Sequence, residues 1–94
     1  MVQLKSVIDN RQRVTLHALQ RLTETDVRHD SPWQGMFGAS AVALVTGQSR
    51  GKVGNDLATL EAVGFVERGM NQLYRITAAG RDYLVAEKLD KAGF

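Results

Sequence analysis

Apolar positions at helical spacing dominate the N-terminal part of the chain. Val14, Ala18 and Leu22 recur along one line between residues 10 and 25, with Leu16 and Leu19 beside them. A stripe of this kind predicts an amphipathic helix of about four turns, with its polar faces in solvent. Residues 78–92 repeat the helical signal. We therefore expect a helix near each end of the chain.

Between these two helices, residues 38–63 predict two more. The first, GASAVALVTG over residues 38–47, is short, rich in alanine and ends at a glycine. A turn over residues 46–48 separates it from a stretch in which Val53, Leu57 and Leu60 recur at i, i+4 and i+7. This stretch is the third predicted helix of the chain. The Ser49 hydroxyl suits its N-cap, and Gly64 suits a left-handed C-cap at its end.

Beyond Gly64 the spacing changes from helical to alternating. The runs GFVERG and QLYRIT lie on either side of Met70-Asn71 and are rich in β-forming residues, which predicts a short hairpin. Alternation places Tyr74 and Ile76 on the buried face. With 94 residues, we expect one domain, mainly α with a small β-hairpin, in which a three-helix core is followed by a C-terminal helix.

Composition and the absence of certain motifs exclude several classes of function. The chain has no cysteine, which excludes disulfide scaffolds, cysteine zinc sites and thiol catalysis. His17 and His29 lack the spacing of a helical metal site, and neither a phosphate-binding glycine loop nor a nucleophile elbow occurs. We therefore expect no enzyme activity, cofactor or metal. No apolar run approaches the ~18 residues of a membrane span, and no signal peptide is evident, so we expect a cytoplasmic protein.

The polar side of the third predicted helix is the candidate binding surface. Opposite the apolar stripe this helix carries Gly51, Asn55, Ala58, Thr59 and Ala62, with Lys52 at the edge. Small side chains permit close approach to the major groove of DNA, and an asparagine amide can pair with adenine through both its donor and its acceptor. Ser49, Arg50 and Lys52 lie in the first turn, where free backbone N–H groups favour phosphate. A net charge of +2 permits a polyanionic partner without demanding one.

Three positions of this helix have two readings each. Arg50 either contacts DNA or pairs with Glu61 or Asp56. Gly54 destabilises the helix by on the order of 1 kcal/mol relative to alanine. A glycine at this position is explained either by a close crossing with the alanine-rich helix or by approach to a DNA backbone. Asp56 either orients a basic side chain or is solvated. The first helix adds four arginines that are either solvated or phosphate contacts, namely Arg11, Arg13, Arg21 and Arg28.

The run SR…V…L..LE..G.VER……YR.T..G…L, which starts at Ser49, resembles winged helix-turn-helix domains of MarR-type and related small bacterial or phage transcriptional regulators. The resemblance covers about residues 38–84. It implies a helix-turn-helix over about 38–63, a wing over 64–77 and a C-terminal helix over 78–92. Together with the polar helix face, it predicts DNA contacts from Ser49, Arg50, Gly51, Lys52, Asn55, Asp56, Thr59, Arg68, Asn71, Gln72 and Arg75. The wing is short and nearly neutral, so its DNA contacts are expected to be minor.

These features predict a sequence-specific double-stranded DNA-binding protein, a small transcriptional regulator acting as a dimer. The apolar side chains of the last helix, which either pair with a second copy or cover the protein's own core, are Tyr83, Leu84, Val85, Leu89 and Ala92. The long flanking helices that form the effector pocket of MarR-type proteins are missing, so we expect no small-molecule effector. The alternative is a winged helix that binds another protein and little or no DNA.

Overall fold

The computed structural model describes residues 8–28, 32 and 34–91. Within these residues the chain forms four helices and a two-stranded antiparallel sheet, which confirms the predicted mainly helical fold with a small hairpin. The elements in chain order are α1 (Asn10–Glu24), α2 (Ala39–Thr46), α3 (Arg50–Ala62), β1 (Val66–Arg68), a 3-10 turn (Met70–Gln72), β2 (Tyr74–Ile76) and α4 (Ala78–Lys91).

Local capping chemistry sets where the helices begin and end. The Ser49 hydroxyl caps α3 as predicted, and Gly47 and Gly64 adopt the expected left-handed conformation after α2 and α3, with φ of 76° and 87°. The start of α1 has a device that we did not predict. The Asp9 carboxylate accepts from the Gln12 backbone N–H at 2.8 Å, and the Gln12 side chain accepts from the Asp9 N–H at 3.0 Å. This reciprocal capping box fixes the first turn of α1.

One apolar core holds the helices together. The predicted α3 stripe, Val53, Leu57 and Leu60, is fully buried. The rest of the core comes from α1, α2, the hairpin and one residue two positions before α1: Ile8, Leu16, Ala18, Leu19, Val42, Val66, Tyr74 and Ile76. The predicted apolar line of α1 was partly wrong, because Val14 is 42% exposed while Leu16 and Leu19 are fully buried. The side of α1 that faces the core is therefore rotated toward Leu16 and Leu19.

The close crossing of α2 and α3 predicted at Gly54 is also wrong. A Cβ atom built on Gly54 meets no atom within 4 Å, and neither does one built on Gly51. The two helices do pack against each other, but not through a glycine contact. Packing within the described part of the chain therefore gives no reason for a glycine at either position.

The hairpin is confirmed, and its two strands are shorter than the runs that predicted them. In the ladder Val66 is opposite Ile76 and Arg68 is opposite Tyr74. The side chains of Tyr74 and Ile76 are buried as expected. Residues 69–73 form the connection. The segment before α2 pairs with the other edge of β2, since the Phe37 N–H donates to the Tyr74 carbonyl at 2.9 Å and the Tyr74 N–H to the Phe37 carbonyl at 2.8 Å. The sequence did not predict this bridge.

Helix α4 begins directly after Thr77, which caps it. The Thr77 hydroxyl accepts from the Gly80 N–H at 3.1 Å. Tyr83 stacks on Phe65 with 4.8 Å between ring centroids, whereas Val85 is 57% exposed. Leu89 and Ala92, which the predicted apolar surface also included, lie outside the residues whose side chains the structure describes. Across the described residues, no helix combines the length and apolarity that crossing a membrane requires.

The loop after α1 is closed by a buried carboxylate. The Asp26 side chain is 3% exposed and accepts from Arg28 Nε at 2.8 Å and from the Gly35 N–H at 2.6 Å. His29 and Asp30 lie outside the described residues. The Arg28 guanidinium, with the Gly35 amide second, holds the pKa of the Asp26 carboxyl well below its usual range.

The lowered pKa of Asp26 predicts that its contribution to the free energy of unfolding depends on pH. The pKa of an aspartate in the unfolded chain is about 3.9, and the folded pKa is lower, so the stabilisation is present above about pH 4 and is lost as the pH falls further. We expect Asp26→Asn to unfold at lower urea concentration than the wild type at pH 7, with the difference shrinking toward pH 3. Glu24→Gln, which removes an exposed carboxylate, is the control. A difference between Asp26→Asn and wild type that stays constant with pH would contradict this assignment.

Candidate nucleic-acid interface

The candidate surface belongs to α3, and its orientation is set by packing on three sides. Residues 47–49 connect α2 to α3, and α3 packs against α1, α2 and β1. Val53, Leu57 and Leu60 are fully buried, so the opposite side of the helix must face solvent. The exposed residues there are Gly51, Lys52, Asn55, Ala58 and Ala62, which we call the α3 outer face.

The first turn of α3 presents polar and basic groups as predicted. The Ser49 hydroxyl accepts from the Lys52 N–H at 3.2 Å, and Arg50 and Lys52 are exposed. Lys52 has no carboxylate within ion-pair distance among the described residues. The suggested pairing of Arg50 with Glu61 or Asp56 is wrong. Its Nη1 instead lies 3.5 Å from the Ser40 hydroxyl on α2, at the limit of a hydrogen bond, so this guanidinium stays available to an outside partner.

Asn55 lies at the centre of the polar part of the α3 outer face. Its side chain is exposed, and its amide makes no hydrogen bond within the described part of the protein. Thr59, which is half-buried, donates its hydroxyl to the Asn55 backbone carbonyl at 3.2 Å. The Thr59 oxygen therefore keeps only acceptor capacity for a ligand, whereas Asn55 offers both donors and an acceptor.

Asp56 is the one predicted DNA-contacting residue whose side chain is fully buried. Its side chain is fully buried and accepts from Arg11 Nε at 3.1 Å and from the Thr15 hydroxyl at 3.0 Å. The second of its two suggested roles, solvation, is excluded, while the first, orientation of a basic side chain, is confirmed. The sequence did not single out Arg11 as the partner, because the two residues are 45 positions apart and no local pattern connects them.

The hairpin presents two arginines, and both have carboxylates beside them. Arg68 lies 3.7 Å from Glu61 and Arg75 lies 3.5 Å from Glu67, in exposed pairs. Such pairs contribute little to stability and break easily, but they reduce the positive charge that the hairpin offers to a phosphate. This supports the expectation that the hairpin is a minor binding element.

The hairpin tip has an unusual backbone. Asn71 and Gln72 are exposed and both have φ of 58°, in the left-handed region that favours glycine. Asparagine tolerates this conformation better than glutamine does. Two consecutive left-handed residues turn the chain sharply, and they hold the two predicted tip contacts in one defined conformation.

Taken together, these groups can donate and accept hydrogen bonds across a small, exposed helix face flanked by cations. In the described ranges, no three histidine, aspartate or glutamate side chains lie close enough together to hold a metal ion. The arrangement suits the edges of bases and the oxygens of phosphates. No family model, curated protein or solved structure matches this chain.

Proposed function

We propose that this protein is a winged helix-turn-helix, sequence-specific double-stranded DNA-binding protein, a small transcriptional regulator acting as a dimer in the cytoplasm. The observation that carries the proposal is the α3 outer face. It is exposed, small and polar, and it carries an asparagine amide and a lysine ammonium that have no partner among the described residues. The helix-turn-helix in this reading consists of α2 and α3, with β1 and β2 as the wing.

The glycines of α3 support the proposal. Gly51 and Gly54 each disfavour the helix by about 0.5–1 kcal/mol relative to alanine, and apart from the adjoining backbone of α3 no atom of the described residues lies within 4 Å of a Cβ at either place. Of the two explanations for Gly54, the packing one has therefore been removed. Close approach by an outside molecule is the explanation that remains, and the major groove requires such approach from a helix that reads bases.

Each group then has a defined role. Asn55 pairs with a base edge, because its amide offers a donor and an acceptor side by side. Ser49, Arg50 and Lys52 contact phosphates at the start of α3 and fix the orientation of the helix. Thr59 supplies an acceptor at the edge of the α3 outer face. The hairpin residues Arg68, Asn71, Gln72 and Arg75 make secondary contacts.

The C-terminal helix is the proposed contact between two copies. Val85 of α4 and Val14 of α1 are 57% and 42% exposed and line a groove of about 460 Å³ between the two helices. A second copy that covers this groove would bury both side chains. A dimer would present two α3 helices on the order of 34 Å apart, one turn of DNA, and would therefore bind a palindrome.

The proposal is tested by selecting bound sequences from random double-stranded DNA and measuring their affinity by mobility shift. We expect a palindromic sequence whose binding weakens as salt is raised. Asn55→Ala is expected to reduce affinity by about 10- to 100-fold for each half-site that the dimer occupies, the value of one bidentate base contact, and to relax the preference at one base pair per half-site. The control is Thr25→Ala, at an exposed position at the end of α1 and outside the proposed dimer groove.

Absence of any salt-sensitive binding by the wild type would reject the function, and unchanged binding by Asn55→Ala would reject its site. Sedimentation as a monomer at high micromolar concentration would reject the dimer alone.

The alternative function, a winged helix that binds another protein, has one specific observation in its favour. Leu44 and Val45 of α2 are 87% and 52% exposed, and adjacent apolar side chains of this kind mark many protein contacts. A partner that is retained after nuclease treatment and lost in Leu44→Ser, together with no DNA shift, would establish this alternative over the first.

A further inference from the structure

The four arginines that accompany α1 differ in what surrounds them. Arg13 is held by Glu87 of α4 at 2.8 and 3.0 Å. Arg21 is exposed and lies beside the end of α2. Arg28 takes part in the loop closure already described. Arg11 alone of the four reaches α3.

Arg11 is hydrogen-bonded to the fully buried carboxylate of Asp56. Its Nε donates to the two carboxylate oxygens at 3.1 and 3.3 Å, and its Nη2 lies 3.0 Å from one of them. The Thr15 hydroxyl donates to the same carboxylate at 3.0 Å. A carboxylate removed from water is unfavourable unless it is paired and hydrogen-bonded. Asp56 therefore fixes the place of the guanidinium much more firmly than an exposed partner would.

The guanidinium lies at the border of the α3 outer face. At 3.6 residues per turn, Asp56 is about 40° from Lys52 around the axis of α3. Arg11 bonds to Asp56 and yet its side chain is 47% exposed. Its Nη1 has no acceptor among the described residues. Arg11 and Lys52 therefore place two cations on the same flank of α3, one of them rigidly.

We propose that Arg11 contacts a DNA phosphate at this flank and that Asp56 is its positioning residue. The inference rests on the proposed function and adds to it a contact from α1, outside the helix-turn-helix. A guanidinium that is held along one edge keeps N–H groups for a phosphate oxygen on the other. Because phosphate contacts set the register of a protein on the duplex, this contact fixes how α3 enters the groove.

The test is the salt dependence of affinity for the selected DNA sequence. The variant is Arg11→Met combined with Asp56→Asn, which leaves the net charge unchanged and keeps an acceptor for Thr15. The slope of log affinity against log salt is expected to fall in magnitude by about 0.9 for each copy of the chain, the value of one phosphate contact, and so by about 1.8 for the dimer. The loss should be uniform across DNA sequences. Arg21→Met, which removes a charge from another side of the same helix, is expected to leave the slope as it is.

A second comparison separates positioning from bulk electrostatics. Asp56→Asn alone adds one unit of positive charge, which by itself strengthens binding to a polyanion. If Asp56 positions Arg11, this variant instead binds more weakly at low salt. Tighter binding by Asp56→Asn would overturn the positioning role.

Urea unfolding of each variant shows whether the fold is retained. Should the double variant fail to unfold cooperatively, Arg11→Gln, which keeps an amide donor for Asp56, must show the same loss of slope. A wild-type slope in either folded variant would overturn the Arg11 contact while leaving the proposed function intact. If the wild type itself shows no salt-sensitive binding, the proposed function falls, and this inference falls with it.

Discussion

The Gly80→Ala variant is expected to be less stable than the wild type by about 1–3 kcal/mol, the usual effect of forcing an extra methyl group into a packed site. A Cβ atom at Gly80 would lie 2.3 Å from the Phe65 carbonyl oxygen and 2.9 Å from Ile76 Cγ1. The Phe65 carbonyl cannot move freely, because it accepts from the Thr77 N–H at 3.0 Å. The first turn of α4 must therefore shift away from β1, and the contacts that depend on this approach must loosen.

The matched control for Gly80 is the same substitution at Gly54. A Cβ there meets no atom within 4 Å, so Gly54→Ala should stabilise the protein by up to about 1 kcal/mol through helix propensity alone. Urea unfolding of the two variants beside the wild type measures both shifts. Equal stability of Gly80→Ala and wild type would show that the α4 contact is not as close as the structure has it.

The second large effect is expected on binding. Gly51→Leu should reduce affinity for the selected DNA sequence on the order of 100-fold for each half-site, because a leucine side chain in the first turn of the α3 outer face would hold the helix away from the bases and remove one or two contacts of about 1–3 kcal/mol each. Stability should not fall, since Gly51 is exposed and a Cβ there meets nothing within 4 Å. Mobility shift and urea unfolding on the same preparations measure the two quantities.

Ala79→Leu serves as the control for Gly51→Leu, because it adds a leucine to an exposed position in the first turn of α4, away from α3 and outside the groove between α1 and α4. It should bind DNA like the wild type. Tight binding by Gly51→Leu would mean that α3 does not enter a groove, and would favour the protein-binding alternative. A fall in stability would mean that Gly51 has a structural role that its surroundings do not show.

Burial of Asp56 places a carboxylate at the border of the α3 outer face. Asn55 and Asp56 are neighbours in sequence, yet one is exposed and the other is fully buried. Replacing a buried ion pair with apolar side chains is often neutral or stabilising, so stability alone does not require Arg11 and Asp56. Their hydrogen bonds instead join α1 to α3 at one defined place beside the α3 outer face.

Much of α3 could be predicted from the sequence because its determinants are local. The hydroxyl of Ser49, the glycine at position 64 and the spacing of Val53, Leu57 and Leu60 act within a few turns of one helix, and each behaves as expected. The predicted inward positions of Tyr74 and Ile76 follow from alternation in the same way. Capping, periodicity and strand alternation need only neighbouring residues, so the chain alone specifies them.

The errors arose at residues whose environment comes from distant parts of the chain. Periodicity does not reveal how far α1 is rotated against its neighbours. The apolar line through Val14 therefore does not mark the core-facing side of α1, and Val14 lines a surface groove. Nothing near Gly54 indicates whether another helix approaches it. The bridge between Phe37 and Tyr74 joins residues that no turn or repeat relates.

The sequence by itself determined the order of helices and strands, the caps that end them and the polar composition of the α3 outer face. The tertiary structure alone decided that Asp56 faces inward, that Arg11 is its partner and that the glycines of α3 have no packing contact. The physical reason is the range of the forces involved. Propensity and capping act between neighbours along the chain, whereas burial, ion pairing and close approach depend on which segments meet after the chain has folded.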